Sequence, residues 1–321
     1  MRNLTRNEAA RFLAREDRFL ILTHRRPDGD TLGSAAALCR GLRLLGKTAW
    51  VLRNPDLTPR FAFLVEGLTI PQPPENSCLL CVDVASPGML PPQWSDLGGS
   101  VCLRIDHHAS AASFTRTELV EPDSASCAEI IWELLKLLQC PADTAVYSAL
   151  YVGVSTDTGC FRYANTTEHT FLAAAACARA GVDIFGLNQT LFETNTLGRL
   201  RIQGWIVENM TLFSGGAMAV CAIPREIEQS LGVTEDDMDN ISNFPRTVYG
   251  VKVAATLRQT GGGETKLSVR AIPGYDATLV AAAFGGGGHR GAAGASMALP
   301  LEAAAAAVQK VMEEVYPWTE S

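Results

Sequence analysis

The chain has 321 residues, 47% hydrophobic and 19% charged, with a formal net charge of −7. That length can bury a substantial core and, at roughly 150 residues per domain, make two domains, while the acidic balance argues against coating long nucleic acid by phosphate neutralisation. No window approaches the roughly 18 to 20 uncharged apolar residues of a membrane span, and the opening MRNLTRNEAARFLARED is too charged for a secretory signal, so the expectation is a cytoplasmic protein with no membrane and no long duplex nucleic acid as partner.

The first part alternates short β-rich apolar runs with amphipathic stretches, the pattern of an α/β domain built on a largely parallel sheet. Strands are predicted over 18–23 (RFLILT), 48–52, 79–84 and 101–105, with a helix over 31–45. Helices follow over 124–138 and over 143–154, the latter entered through Pro141, and another over 166–180 opens with a threonine cap and closes at Gly181. A longer periodic helix over 197–212 reads as a connector, so the chain divides into 1–195, a connecting helix within 196–212, and 213–321.

The last part changes texture. Strands are predicted over 217–223, 248–258 and 266–272, the last two joined as a hairpin through Gly261-Gly262-Gly263. A helix over 276–284 runs into GGGGHRGAAGA at 285–295, and an alanine-rich helix over 301–315 follows, packed on its small side. This is a second, smaller α+β domain, expected to face the first across a cleft.

The nine cysteines lie scattered in otherwise apolar segments, as small hydrophobes of a reducing compartment do. Cys78 and Cys81 form the one close pair and read as strand residues, because no second pair or histidines at matching spacing would complete a zinc site. The run Glu235-Asp236-Asp237 reads as the solvated start of a helix, and His169, inside a helix away from the strand ends, as a structural or surface histidine.

Chemistry concentrates where predicted strands end. Thr23-His24-Arg25-Arg26-Pro27-Asp28-Gly29-Asp30 follows the first strand and precedes a helix, which is where ligands sit in parallel α/β sheets. One imidazole and two carboxylates on a loop broken by Pro27 and Gly29 can turn inward on one centre or on two neighbours. Gly33-Ser34 at the helix start would let backbone come close, and that helix N-terminus would welcome an anion. Asp83 ends the strand LLCVD, Asp106-His107-His108 end the strand VCLRID, and Asp157 arrives in STDTG after a helix.

Burying these carboxylates together without cations would cost many kcal/mol, and divalent metals resolve the conflict. A mixed oxygen and nitrogen donor set without thiolate suits Mn²⁺, with Mg²⁺, Co²⁺ or Fe²⁺ as alternatives that residues alone do not separate. Two such ions about 3.5 to 4 Å apart can activate water and stabilise charge on phosphorus. Serine chemistry competes weakly, since Ser34, Ser86 and Ser155 lie in no nucleophile-elbow pattern.

The order HRRPDGD with GS following, a strand ending in Asp83, Asp106-His107-His108, and STDTGCFRYANTT resembles the DHH phosphoesterase superfamily, and GGGGHRGAAGA resembles the signature of its accompanying C-terminal domain. The run Gly159 to Thr167 is most similar to the nanoRNase and phosphoadenosine phosphate phosphatase branch. That resemblance implies hydrolysis of short oligoribonucleotides (nanoRNA, linear dinucleotides) to mononucleotides and of 3′-phosphoadenosine 5′-phosphate to AMP, with two divalent ions, Mn²⁺ preferred. It implies His24, Asp28 and Asp83 on one metal and Asp30, Asp83, His107 and Asp157 on the other, with Asp83 bridging, His108 facing substrate at the leaving oxygen, and Asp106 orienting its neighbours. In the second domain His289 and Arg290, beside Gly287 and Gly288, would contact the substrate end, with Arg270 as a partner for a terminal phosphate; the family also includes homodimers. Cyclic dinucleotide, pyrophosphate and polyphosphate hydrolysis are the neighbouring activities. The lysine- and arginine-rich C-terminal motif of the pyrophosphatases is missing, and a silent nucleotide-binding regulator would have lost a metal carboxylate, which this chain has not.

Overall fold

A computed structural model describes residues 2–108, 114–238, 240–260 and 262–317. The chain forms two compact units, 1–194 and 195–321. In the first, in chain order, lie β1 (Arg2–Asn3), α1 (Arg6–Arg15), β2 (Phe19–Leu22), α2 (Gly29–Leu44), β3 (Ala49–Leu52), α3 (Pro59–Ala62), β4 (Thr69–Ile70), β5 (Cys78–Val82), β6 (Leu103–Asp106), β7 (Thr117–Val120), α4 (Cys127–Leu137), α5 (Thr144–Asp157), α6 (Glu168–Arg179) and α7 (Ile184–Asn188).

Seven strands pair in the order β1-β7-β6-β5-β2-β3-β4, every neighbouring pair parallel. β2, β5 and β6 are buried along almost their whole length, as central strands covered on both faces must be. From β2 the chain winds outward to β3 and β4, whereas β5, β6 and β7 wind the other way, so the order reverses between β2 and β5. A crevice opens at the carboxyl ends of strands at such a reversal. The loops after β2, β5 and β6 carry His24, Asp83 and the Asp106-His107-His108 run to it.

α2 is packed almost all round, from Gly29 through Cys39, because its small side chains let helices approach. A Cβ on Gly33 would fall 2.5 Å from the Ala149 carbonyl oxygen of α5, and one on Gly153 of α5 would fall 2.5 Å from Ala128 Cβ of α4. Glycine at these two contacts sets how near α5 lies to α2, and hence where Asp157, the last residue of α5, is delivered. Asp157 thus ends a helix, three residues beyond the predicted end.

The second unit contains α8 (Leu197–Asn209), β8 (Thr211–Phe213), β9 (Met218–Ile223), α9 (Arg225–Ser230), β10 (Val253–Gln259), β11 (Thr265–Ala271), α10 (Ala277–Ala282), β12 (Gly287–His289), β13 (Ala292–Met297) and α11 (Leu301–Val315). Its mixed sheet runs β12-β13-β11-β10-β9-β8, with β9 and β10 parallel and the other neighbours antiparallel. β10 and β11 pair as the predicted hairpin strands, although Gly261 lies outside the described residues. α8, read from sequence as a connector, buries Ile202 and Ile206 against Cys221, Ile223, Met238 and Ile241 and belongs with this unit.

Two expectations are corrected. Residues 248–252 are not strand: Pro245 opens a single helical turn over 245–247, Val251 N–H turns back to the Val248 carbonyl, and Gly250 adopts φ +91°. Nor do Glu235 and its neighbours start a helix. Asp237 is buried, its carboxylate accepting from the Thr234 amide and hydroxyl (2.8 and 2.9 Å) and from the Thr196 hydroxyl that caps α8. No helix among the described residues is long and apolar enough to cross a membrane.

Candidate metal centre

Six of the predicted side chains meet at the strand ends. His24 Nε2 stands 3.6 Å from Asp28 Oδ1 and 3.4 Å from Asp83 Oδ2. His107 Nε2 stands 3.4 Å from Asp83 Oδ1, 3.4 Å from Asp157 Oδ2 and 3.8 Å from Asp30 Oδ2. Asp83 therefore turns one oxygen to each imidazole. Three donor groups of metal-binding compactness result: His24, Asp28 and Asp83; Asp30, His107 and Asp157; and Asp83, His107 and His108.

Backbone aims several of these side chains. His24 Nδ1–H donates to the Arg25 carbonyl (2.8 Å) and His107 Nδ1–H to that of Ser124 (3.2 Å), which leaves Nε2 of both rings turned to the carboxylates. Asp30 accepts from the Cys127 and Ala128 amides (2.7 and 2.9 Å) and from the Ser34 hydroxyl (3.2 Å), so the N-terminus of α4 holds this buried carboxylate. Asp83 takes its place at φ +58°, a left-handed conformation uncommon outside glycine, asparagine and aspartate. Asp106 Oδ1 accepts from His108 Nδ1–H (2.8 Å) and from the amides of His107 and His108 (2.9 and 3.3 Å).

Charge within the cluster is strongly perturbed. Burial, and then the negative charge of Asp83, push the Asp30 carboxyl up to about 7. Burial and Asp30 lift Asp157 well above the usual carboxylate range. For His107 the penalty of burial is outweighed by Asp83, Asp30 and Asp157, which raise it to about 10. His24 is likewise buried, yet Asp28 and Asp83 hold it well above its ordinary value. Asp83 is buried too, but the two imidazoles keep it below the usual range.

These residues fit divalent cations. Asp83 Oδ1 is buried and accepts no hydrogen bond, an acceptor that a bound cation would satisfy. The donors are hard oxygens and imidazole nitrogens, and the nearby Cys127 thiol is turned to the Ile105 carbonyl instead.

The anion site expected at the start of α2 is absent, because Asp28 caps that helix with its own carboxylate, accepting from the Asp30 and Thr31 amides (3.0 and 3.1 Å), and Gly33 is spent on packing. His169 bridges Glu129 and Glu133 (3.4 and 3.0 Å), away from the strand ends. Sequence reading missed Asn54, whose amide donates to the Thr23 hydroxyl and the His24 carbonyl (both 2.8 Å), and the grip of α4 on Asp30; the capping pattern Ser126-x-x-Glu129 marks the start of that helix but not what it holds.

In the second unit Gly287, Gly288 and His289 form β12, paired to β13, so the glycine run is a short β-ribbon. Gly288 has φ +146°, and a Cβ there would fall 2.5 Å from the Ala292 carbonyl oxygen. Arg290 is exposed, 3.4 Å from Asp276, while Arg270 donates to Asn243 Oδ1 (2.8 Å) and the Val269 carbonyl (3.1 Å).

A parallel sheet that gathers this donor set at its switch point defines a metal-dependent phosphoesterase. Residues 18–154 match the DHH family, N-terminal domain, and residues 215–316 match the DHHA1 domain. The chain is 31% identical over 298 residues to the bifunctional oligoribonuclease and PAP phosphatase NrnA of Thermus thermophilus, spanning 92% of this chain and 88% of that one. It belongs to the DHH family. An exopolyphosphatase-related protein from Bacteroides fragilis shares the fold with TM-score 0.84 and 22% identity, over 96% of this chain and 95% of that one. RecJ of Thermus thermophilus, solved in complex with Mn²⁺, aligns with TM-score 0.56 and 18% identity over 96% of this chain and 54% of its own.

Proposed function

We propose that this protein hydrolyses short oligoribonucleotides, nanoRNA and linear dinucleotides among them, to mononucleotides, and 3′-phosphoadenosine 5′-phosphate to AMP, in the cytoplasm and with two divalent ions, Mn²⁺ foremost. The observation that carries the reading is Asp83, buried and turned by one oxygen to His24 and by the other to His107, in a chain whose 31% identical relative is named for both activities. RecJ, of the same fold, binds Mn²⁺.

In this reading His24, Asp28 and Asp83 hold one ion, and Asp30, Asp83, His107 and Asp157 the other. When bound, the pair supplies an activated water at neutral pH and neutralises charge on the phosphoryl oxygens. The chain's own residues do the rest. Asp106 holds His108 by Nδ1, which leaves Nε2 to give its proton to the leaving oxygen as the P–O bond breaks and the oxygen of water joins phosphorus. Gly287 and Gly288 let a phosphate approach backbone, and His289, Arg290 and Arg270 grip the nucleotide end.

The test is release of mononucleotide from a 5′-phosphorylated ribodinucleotide with Mn²⁺, run beside 3′-phosphoadenosine 5′-phosphate, a cyclic dinucleotide, pyrophosphate and an EDTA control. Turnover of the first two that EDTA stops is the expected result. Cleavage of pyrophosphate or the cyclic dinucleotide alone would overturn it in favour of that neighbouring activity, and metal binding without turnover of any would leave a nucleotide-binding regulator.

A further inference from the structure

β6 carries a guanidinium into the core of the first unit. Arg104 is 1% exposed, between the buried Leu103 and Ile105. Taking such a charge out of water costs several kcal/mol unless it is paired and hydrogen-bonded. Nη2 donates to Glu118 on β7 (2.8 Å), which could have completed a self-contained ion pair. The other arm goes further: Nη1 donates to the Ala85 carbonyl (3.1 Å), two residues beyond Asp83, and lies 3.7 Å from Asp106 Oδ2. The Phe114 ring faces the same guanidinium at 5.1 Å.

Asp106 needs such a neighbour. It is fully buried, its Oδ1 is taken by His107 and His108, and its Oδ2 accepts no hydrogen bond. We infer that Arg104 is a positioning residue for phosphoester hydrolysis: its charge, 3.7 Å from Oδ2, holds Asp106 and through Asp106 the ring of His108, and its hydrogen bond to the Ala85 carbonyl holds the turn that presents Asp83. The inference rests on reading His108 as the group at the leaving oxygen. Arg104 itself touches no substrate, so it should govern kcat and leave KM nearly unchanged.

The obvious variant, Arg104→Met, strands Glu118 as a lone buried charge and can fail for that reason alone. The informative protein is the double variant Arg104→Met/Glu118→Leu, since replacing both members of a buried pair by apolar groups is often tolerated. Purified full-length protein is compared with its parent for melting temperature, bound manganese, and kcat and KM on 5′-phosphorylated ribodinucleotide, with Arg104→Lys and His108→Asn alongside. The expected result is a double variant that melts within a few degrees of the parent and holds its manganese, but loses roughly 10- to 100-fold in kcat with KM within about twofold. Arg104→Lys, which keeps the charge without the fork, should recover only part of the loss. A double variant with parental kcat, beside an impaired His108→Asn, would show that Arg104 only balances Glu118. A double variant that does not fold would assign Arg104 to stability and equally overturn the inference. Near-parental turnover by His108→Asn would instead remove the reading of His108 on which it stands.

Discussion

The carboxyl edge of the first unit's sheet and the β12–β13 ribbon of the second hold their polar side chains in opposite ways. At the sheet edge Asp30, Asp83 and Asp106 are buried, and the imidazoles of His24 and His107 are pinned by backbone carbonyls. On the ribbon His289 and Arg290 are exposed, and Arg290 stands at ion-pair distance from a single carboxylate. In the proposed reading the edge residues would hold metal at fixed separations, which suits their burial and bracing, and the ribbon residues would grip a mobile nucleotide end, which suits side chains that stay solvated until it arrives. Damage at the edge should therefore remove the reaction, and damage on the ribbon should weaken binding.

The largest effect is expected from Asp83→Ala, which takes a donor from both candidate ions. Turnover should fall by at least about a thousandfold, the several kcal/mol that metal stabilisation supplies, and bound manganese should drop in the same sample. Near-normal turnover with intact metal content would break the two-ion assignment.

Proton linkage sharpens the contrast further. Without metal, Asp30 stays protonated up to about pH 7 and His107 up to about pH 10. Raised values mean bound protons below them, which an arriving cation must displace, so Mn²⁺ affinity should rise as pH climbs through 7. Calorimetry near pH 6.5 in two buffers of different ionisation enthalpy should show proton release; uptake, or no exchange, would contradict the assigned donors.

Packing beneath the edge is tested by Gly153→Ala. The new methyl would lie 2.5 Å from Ala128 Cβ and 2.9 Å from Asp30 Oδ1, so overpacking of about 1–3 kcal/mol and weaker metal binding are expected together. A melting temperature and metal affinity equal to the parent's would show that α5 yields easily. On the ribbon, Arg290→Ala should raise KM for 5′-phosphorylated dinucleotide about tenfold, one charge-assisted hydrogen bond, with kcat and melting temperature hardly changed. An equal loss on a generic aryl phosphodiester would remove the end-gripping role. Smallest of all is Gly204→Ala on α8, where a Cβ meets nothing within 4 Å; a gain of up to about 1 kcal/mol in stability is expected, and a loss would reveal a contact on that helix face.

The site was legible to different depths. His24, Asp28, Asp30, Asp83, His107 and Asp157 could be picked out because each lies at or just beyond the end of an apolar strand or helix, and strand ends share one sheet edge in a parallel fold. Asn54 and Arg104 were silent, since a lone amide after β3 and an arginine inside β6 carry no spacing signal; only their distances to the His24 carbonyl and to Asp106 disclose a role. β12 was hidden as well, because four successive glycines read as turn, and its strand character comes from pairing with β13 rather than from propensity.

Local chemistry written along the chain thus determined the α/β class, the order of the main strands and helices, the donor types and the family. Tertiary structure alone decided that Asp83 faces both imidazoles and that the start of α4 holds Asp30. The physical reason is that a residue's type and its neighbours in sequence set which bonds it can make, whereas the separations of a few ångström that set charge, tautomer and metal affinity arise only when distant strands and helices pack.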